Sequence, residues 1–436
     1  MNAKVKSIAR KIPGFGSLIA KMELLEQDIR DCRVQNAVLA RENIGLRLKL
    51  KKINGEKVNV VFVCHRPAVW EALHSVYDAL AGDPRFDVKI VAIPNKKELP
   101  GLWLNHEEYT SEGAEEFWKD YGCINGYNYE TKEWLDLRTL NPDYVFFQQP
   151  YNVARPPLYQ SGVVSKYAKI LYVAYFVPNS FDAIYDDCAP LDFLRDVSFY
   201  FAQREDDAAH MRERLAKAGG LTKTVTSGNP RYDRIERYEG AKSGIWTGED
   251  TFRILWTPRW TTNEGNCFFF AYKDFLLDYP LRREGVELTF RPHPQAFAEW
   301  KAMGQMTEAE EQALRGKCTG RLHLDESPDY YGVSFSSDCL VTDKSSMLTD
   351  YFFTGKPIVY CRKDHPNGEI TPELDEGVYS VYTREELEKT LEALRQGDDP
   401  KKGIREQVRS TYLKPKKGKA ADVIRDTLAA DALGET

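Results

Sequence analysis

The chain has 436 residues, enough for two or three domains with a sizeable buried core. Its 42% hydrophobic and 29% charged residues exclude a disordered chain, and a net charge of −6 gives no electrostatic reason to expect nucleic acid as a partner. No apolar run approaches the roughly 18–20 residues that span a bilayer, and eight scattered cysteines without a C-x-x-C pair argue against a disulfide scaffold or a zinc ribbon, so the expected compartment is the cytoplasm.

Residues 1–20 read as a basic amphipathic leader: Lys4, Lys6, Arg10 and Lys11 stand beside Val5, Ile8, Ile12, Phe15, Leu18 and Ile19, a pattern suited to an anionic membrane surface. Residues 1–52 hold twelve Lys/Arg against five Asp/Glu, a net of +7, which leaves −13 for the remaining 384. Over 21–54 the spacing predicts a parallel coiled coil. Met22, Leu25, Ile29, Cys32, Asn36, Leu39, Asn43, Leu46, Leu50 and Ile53 alternate in steps of three and four without a slip. Asn36 and Asn43 fall at a, where a buried Asn pairs across two parallel strands and fixes their register, so the expected partner is a second copy of the chain.

Residues 55–237 alternate strand-like and helical stretches. Val58–Cys64, Val88–Pro94, Tyr144–Gln148, Ile170–Phe176, Val197–Ala202 and Lys223–Thr226 are the predicted strands, and Glu98–Thr139 reads as a long insertion. After a linker over 238–250, residues 251–436 repeat the pattern, with strands at Ile254–Trp256, Val286–Phe290, Arg321–Leu324, Cys339–Thr342, Ile358–Cys361 and Val378–Tyr382. The expected fold is α/β: two Rossmann-like, doubly wound domains facing a cleft, with ligands beyond the carboxyl ends of the strands. A C-terminal helix, Ala420–Leu433, is expected to pack back across the interface.

Several segments fall at predicted strand ends. Arg291-Pro292-His293-Pro294 holds a cation beside an imidazole on a turn stiffened by two prolines, which suits a phosphate. After Thr342, Ser345 and Ser346 open a helix whose free N–H groups also suit a phosphate, and Asp350 lies about a turn along, in reach of a ribose or a donor hydroxyl. Thr257 and Arg259, in Trp256-Thr257-Pro258-Arg259-Trp260, and the turn Ser227–Asp233 mark cleft edges. In the first half, His65 and Arg66 follow the first strand: the imidazole is a candidate general base near neutral pH and the guanidinium a phosphate holder. Gln149 and Arg155 are candidates for the acceptor groove. No acidic cluster calls for a metal, and no cofactor is expected.

G-N-P-R-Y-D at 228–233, L-W-T-P-R-W at 255–260, R-P-H-P at 291–294, S-D-C-L-V-T-D-K-S-S-M-L-T-D-Y at 337–351 and G-K-P-I-V-Y at 355–360 resemble the CDP-glycerol glycerophosphotransferase family, which builds teichoic acids and related capsule polymers. The resemblance covers roughly 225–395 and implies a GT-B-type fold, a nucleotide donor held by the C-terminal domain, and peripheral attachment to the inner membrane face. It makes His293 the donor-side catalytic histidine and puts Arg291, Ser345, Ser346 and Asp350 in the donor pocket, with Thr257 and Arg259 beside them. Two departures stand out. The family's aromatic-His-Gly segment is absent, its place taken by residues 172–179, and Lys344 replaces the usual tyrosine after Thr-Asp. The expected reaction is attack of a polysaccharide or lipid-linked acceptor hydroxyl on a CDP-linked polyol phosphate, with loss of CMP. The alternatives are a nucleotide-sugar glycosyltransferase and a non-catalytic dimeric scaffold.

Overall fold

Alternation of apolar runs with amphipathic stretches yields two parallel sheets in the computed structural model, which describes residues 15–97, 108–110, 115–177, 186, 188–218, 220–263, 265–327, 330–363, 370–414 and 418–434. The first sheet comprises β1 (Val58–Cys64), β2 (Phe86–Ala92), β3 (Ile124–Asn125), β6 (Tyr144–Phe147), β7 (Lys169–Val173), β8 (Val197–Ala202) and β9 (Lys223–Thr226). Their order is β3-β2-β1-β6-β7-β8-β9. Between β3 and β6, β4 (Tyr127–Asn128) and β5 (Glu133–Trp134) form an antiparallel ribbon. The second sheet comprises β10 (Phe252–Thr257), β11 (Val286–Phe290), β12 (Leu322–Leu324), β13 (Cys339–Thr342), β14 (Ile358–Cys361) and β15 (Tyr379–Val381), ordered β12-β11-β10-β13-β14-β15.

Strand order reverses between β1 and β6 in one sheet and between β10 and β13 in the other, the switch points at which doubly wound sheets place their ligand crevice. The central strands read as unbroken apolar runs because both faces of each sheet are covered. Val60, Phe62 and Cys64 face one core, while Val61 and Val63 face another. Across the second sheet Ile254 and Trp256 are likewise separated from Leu255. Within the 98–139 stretch, 98–107 and 111–114 lie outside the described residues. The remainder supplies β3 to β5 and the buried Trp118, edge-on to Trp70 at 5.8 Å.

The last helix, Ala420–Leu433, returns to the first domain as expected. Ala421, Ile424, Leu428, Ala429 and Ala432 complete its core. Asp233 accepts the N–H groups of Ala420 (2.7 Å) and Ala421 (2.9 Å), and Asp431 accepts from Tyr144 and Lys169. This helix thus packs with the first core although it follows the second sheet in the chain.

At the other terminus a single helix runs from Phe15 to Asn54. Its C-terminal half docks on the first domain through Ile44, Leu48 and Lys51. Asp143 anchors that contact by accepting from Arg47 Nε (2.9 Å), Lys51 Nζ (2.6 Å) and the Asn59 N–H (2.8 Å). Most of the basic leader, up to residue 14, lies outside the described residues. Among the described residues no helix is long and apolar enough to cross a membrane.

Candidate functional site

The crevice is built first on β1 and β6. Gln148, leaving β6, accepts with Oε1 the N–H groups of His65 (2.7 Å) and Arg66 (2.9 Å) and donates from Nε2 to the Arg66 carbonyl (3.1 Å). One side chain thus shapes the whole turn after β1. Replacing Gln148 with alanine strands two backbone donors and is expected to cost roughly 1–3 kcal/mol, read from the urea midpoint.

Gln149 Oε1 lies 3.0 Å from His65 Nε2. An amide oxygen only accepts, so Nε2 carries the proton and Nδ1, which has no hydrogen-bond partner, is left with a lone pair. The ring is buried, and burial pushes its pKa down to about 3. The bond to Gln149 opposes that shift, while the charges of Arg155 and Arg66 add to it. This corrects the expectation of a base poised near neutral pH: the imidazole is neutral and weakly basic. Because the unfolded chain takes up this proton near the ordinary 6.5 and the folded one only near 3, stability is expected to fall as pH is lowered across that window and to be unaffected by His65 above it. Denaturation midpoints over a pH series check this, with His65→Gln expected to flatten the slope.

Arg155, expected in the acceptor groove, is fully buried instead. It donates to the carbonyls of Gln149 (2.7 Å) and Tyr159 (3.2 Å) and to Asn152 Oδ1 (3.0 Å), and lies over the Phe147 ring. It braces the loop that carries Gln149. Arg66 has a different role. Its side chain is part-exposed, and its positive charge lowers the pKa of His65 in its own domain and of His293 in the other. Tyr175, in the stretch that replaces the His-Gly segment, pairs its hydroxyl with Tyr151 at 3.0 Å. Burial first, then Cys188, pushes its pKa up to about 12, so it stays protonated at neutral pH.

On the facing domain, the turn after β11 presents His293 with its ring exposed and stacked on Trp260, centroids 5.3 Å apart. Nδ1 accepts the Gln295 N–H at 3.2 Å, so the neutral ring carries its proton on Nε2. The ring keeps an open edge to solvent. Desolvation on the turn, followed by the charges of Arg66 and Arg259, lowers its pKa to about 4. At neutral pH His293 is therefore a neutral hydrogen-bond donor under the influence of two positive charges.

Around it the loops are tied together below the surface. Asp343, buried with its pKa pushed up to about 7 chiefly by burial, accepts the N–H groups of Arg259 and Phe268. Arg259 Nη1 donates to the Lys344 carbonyl at 3.0 Å. Ser345 is the N-cap residue of Ser346–Tyr351, with Oγ 3.3 Å from Thr342 Oγ1, and Ser346 is exposed. Of the expected site residues, His293 and Ser346 are exposed and Arg66, Arg259 and Ser345 are partly exposed.

Three others are engaged elsewhere. Thr257 is buried and bonded to Thr342 (3.0 Å), which joins the ends of β10 and β13. Arg291 turns away from the crevice to Asp325 and to the Ser327 carbonyl (2.6 Å) and holds the loop after β12. Asp350, expected near a ribose, is buried and accepts from Tyr330 (2.7 Å), Tyr232 (2.9 Å) and Arg231 (3.2 Å). Arg231 also donates to the Tyr175 carbonyl (3.2 Å) in the first domain, so this cluster clamps the two halves. The sequence reading missed Gln148 as the organiser of the turn, Trp260 as the platform for His293, and Tyr330. Gln148 and Trp260 stand inside segments that reading had quoted, whereas no pattern marks Tyr330. Among the described residues no group of His, Cys, Asp and Glu is arranged to hold a metal ion.

Residues 207–430 match the family model described as CDP-glycerol:poly(glycerophosphate) glycerophosphotransferase. No curated protein sequence matches the chain. Among solved structures, a putative UDP-N-acetylglucosamine 2-epimerase from Listeria monocytogenes is similar with a TM-score of 0.56 at 14% identity, covering 87% of this chain and 98% of that one. MnaA of S. aureus with UDP gives 0.55 at 11% identity, over 87% and 98%. The wall teichoic acid polymerase TagF gives 0.50 at 12% identity, over 91% and 98%. At such low identity these likenesses speak for the fold, two facing Rossmann-type domains in the GT-B arrangement.

Proposed function

The chain belongs to the CDP-glycerol:poly(glycerophosphate) glycerophosphotransferase family, whose model it matches over half its length, and from that premise we propose that it moves glycerol phosphate or a similar polyol phosphate from a CDP-activated donor to a hydroxyl of a surface polysaccharide or teichoic-acid-like acceptor, releasing CMP. It is an enzyme of the CDP-glycerol glycerophosphotransferase type. The finer reading is supported by His293, exposed on the turn after β11, stacked on Trp260 and neutral with its proton on Nε2, with the positive charges of Arg66 and Arg259 acting on it from the two domains. As the acceptor oxygen bonds to phosphorus and the bond to the CMP oxygen breaks, negative charge builds on the phosphoryl oxygens. Two fixed cations and an Nε2–H donor are suited to offset it, and positioning plus electrostatics supplies most of the catalysis in phosphoryl transfer. The hydroxyl proton passes to solvent. His65 supports the turn that carries Arg66.

Attachment to the inner face of the membrane is part of the same proposal. The +7 charge of residues 1–52 supports it.

The test is thermal-shift and calorimetric binding of CDP-glycerol, CDP-ribitol, CMP, UDP-GlcNAc and UDP, since a ligand that binds the native state raises its melting temperature. Stabilisation by cytidine ligands alone, weakened in Arg259→Ala, is the expected result. Stabilisation by uridine ligands alone would replace the reading with sugar transfer, and no response to any of the five would replace it with a scaffold.

A further inference from the structure

The helix Phe15–Asn54 has two faces of different character. At about 100° per residue, the stripe that docks on the first domain (Ile44, Leu48, Lys51) and the heptad seam lie about 150° apart, so the seam faces away from the globule. Its residues there stay open to solvent: Leu39 is 55% exposed, Leu46 59%, Leu50 60% and Ile53 78%. Farther out, the turns carrying Met22, Leu25 and Ile29 are exposed on nearly every side. A free-standing helix of this kind is marginal in water, and a continuous apolar stripe along it needs a partner.

We propose that the partner is a second copy of this chain, joined in register as a parallel two-stranded coiled coil along the a/d seam. Three observations single out this occupant. The seam has strict three-four spacing, narrower than the stripe a helix turns toward its own core. Asn36 and Asn43 sit at a, where each meets its own copy only in a parallel, in-register pair and satisfies its amide there. The flanking charges are complementary in that arrangement: Lys21 at g faces Glu26 at e of the copy, and Asp28 at g faces Arg33 at e. The docked stripe is nearly opposite the seam, so the exposed a and d residues lie away from the globule, which reaches the seam's flanks at Arg47 and Lys49 near the end of the helix. Both chains then enter the coil from the same end, so the two basic leaders are presented side by side, which raises avidity for one surface without any new contact.

The experiment uses the full chain. Sedimentation equilibrium is expected to give twice the chain mass. The double variant Leu39→Asp with Leu46→Asp is expected to give a monomer whose near-UV circular dichroism and thermal midpoint for the globule are retained. Cys32, exposed at a d position, reports register. Mild oxidation is expected to cross-link the wild-type chains and to fail in Cys32→Ser. A monomeric wild type overturns the proposal and leaves the seam to another protein. A dimer that survives the double substitution overturns the seam as the interface, and a dimer that does not cross-link at Cys32 overturns the parallel register. None of these readouts involves catalysis, so they stand apart from the proposed reaction.

Discussion

Replacing His293 with alanine is expected to lower kcat by roughly 10²–10³-fold, the loss typical when one preorganised donor to a developing oxyanion is removed. The ring is exposed and touches the fold through its stack on Trp260 and one bond from the Gln295 N–H, so the variant should fold normally and bind cytidine nucleotides with little change. Steady-state kinetics with CDP-glycerol, paired with calorimetry of CMP, separates the two effects. A fall in kcat with retained affinity marks a group acting in the transition state, whereas a rise in KM alone would assign His293 to ground-state binding. With its pKa at about 4, the wild-type ring stays neutral from pH 6 upward, so no activity limb from His293 is expected in that range. The sign follows first from desolvation, which disfavours the charged imidazolium, and then from the positive charges of Arg66 and Arg259, which add to it.

Removal of the Asp350 carboxylate is expected to have the largest effect on stability. Asp350→Ala leaves the guanidinium of Arg231, only 12% exposed at its side chain, without its carboxylate partner. Breaking one side of a buried pair costs roughly 3–5 kcal/mol, much of it the penalty of an uncompensated charge. The phenols of Tyr232 and Tyr330 lose their acceptor as well. Because Arg231 also holds the Tyr175 carbonyl, the loss should loosen one domain against the other, visible as a lower and broader unfolding transition. Tyr232→Phe, which deletes one hydrogen bond, is expected to cost about 1 kcal/mol. A donor-binding Asp350 would behave differently, with nucleotide affinity falling and the transition unmoved, so the two measurements decide between clamp and ligand.

Much of the fold was legible because it rests on local periodicity. Continuous apolar runs of strand length, alternating with helical spacing, are what a sheet covered on both faces demands: β1 and β13 coincide with the expected Val58–Cys64 and Cys339–Thr342, and β10 (Phe252–Thr257) extends the expected Ile254–Trp256 at both ends. The heptad spacing over 21–54 is legible for the same reason, and the long helix is present where it was expected. The place of His293 on a turn just after a strand was legible too, from the two prolines beside it.

What one sequence cannot carry is the direction a polar side chain takes once domains close on one another. Arg66 and Arg155 both follow strands of the first sheet, yet Arg66 stays partly exposed while Arg155 is sealed against Phe147 and Phe193. Asp350 and Ser346 share one short helix, yet a few residues decide that the hydroxyl meets solvent and the carboxylate meets Arg231. The basicity of His65 is of the same kind. The residue type suggests a base near neutral pH, and burial beside two guanidinium groups removes it. Periodicity, turn chemistry and the family motifs therefore come from the sequence alone, since they depend on neighbours along the chain. Which charges end up buried and paired, and which face the crevice, depends on desolvation by segments hundreds of positions away, and that is settled only when the two domains and the returning C-terminal helix pack together.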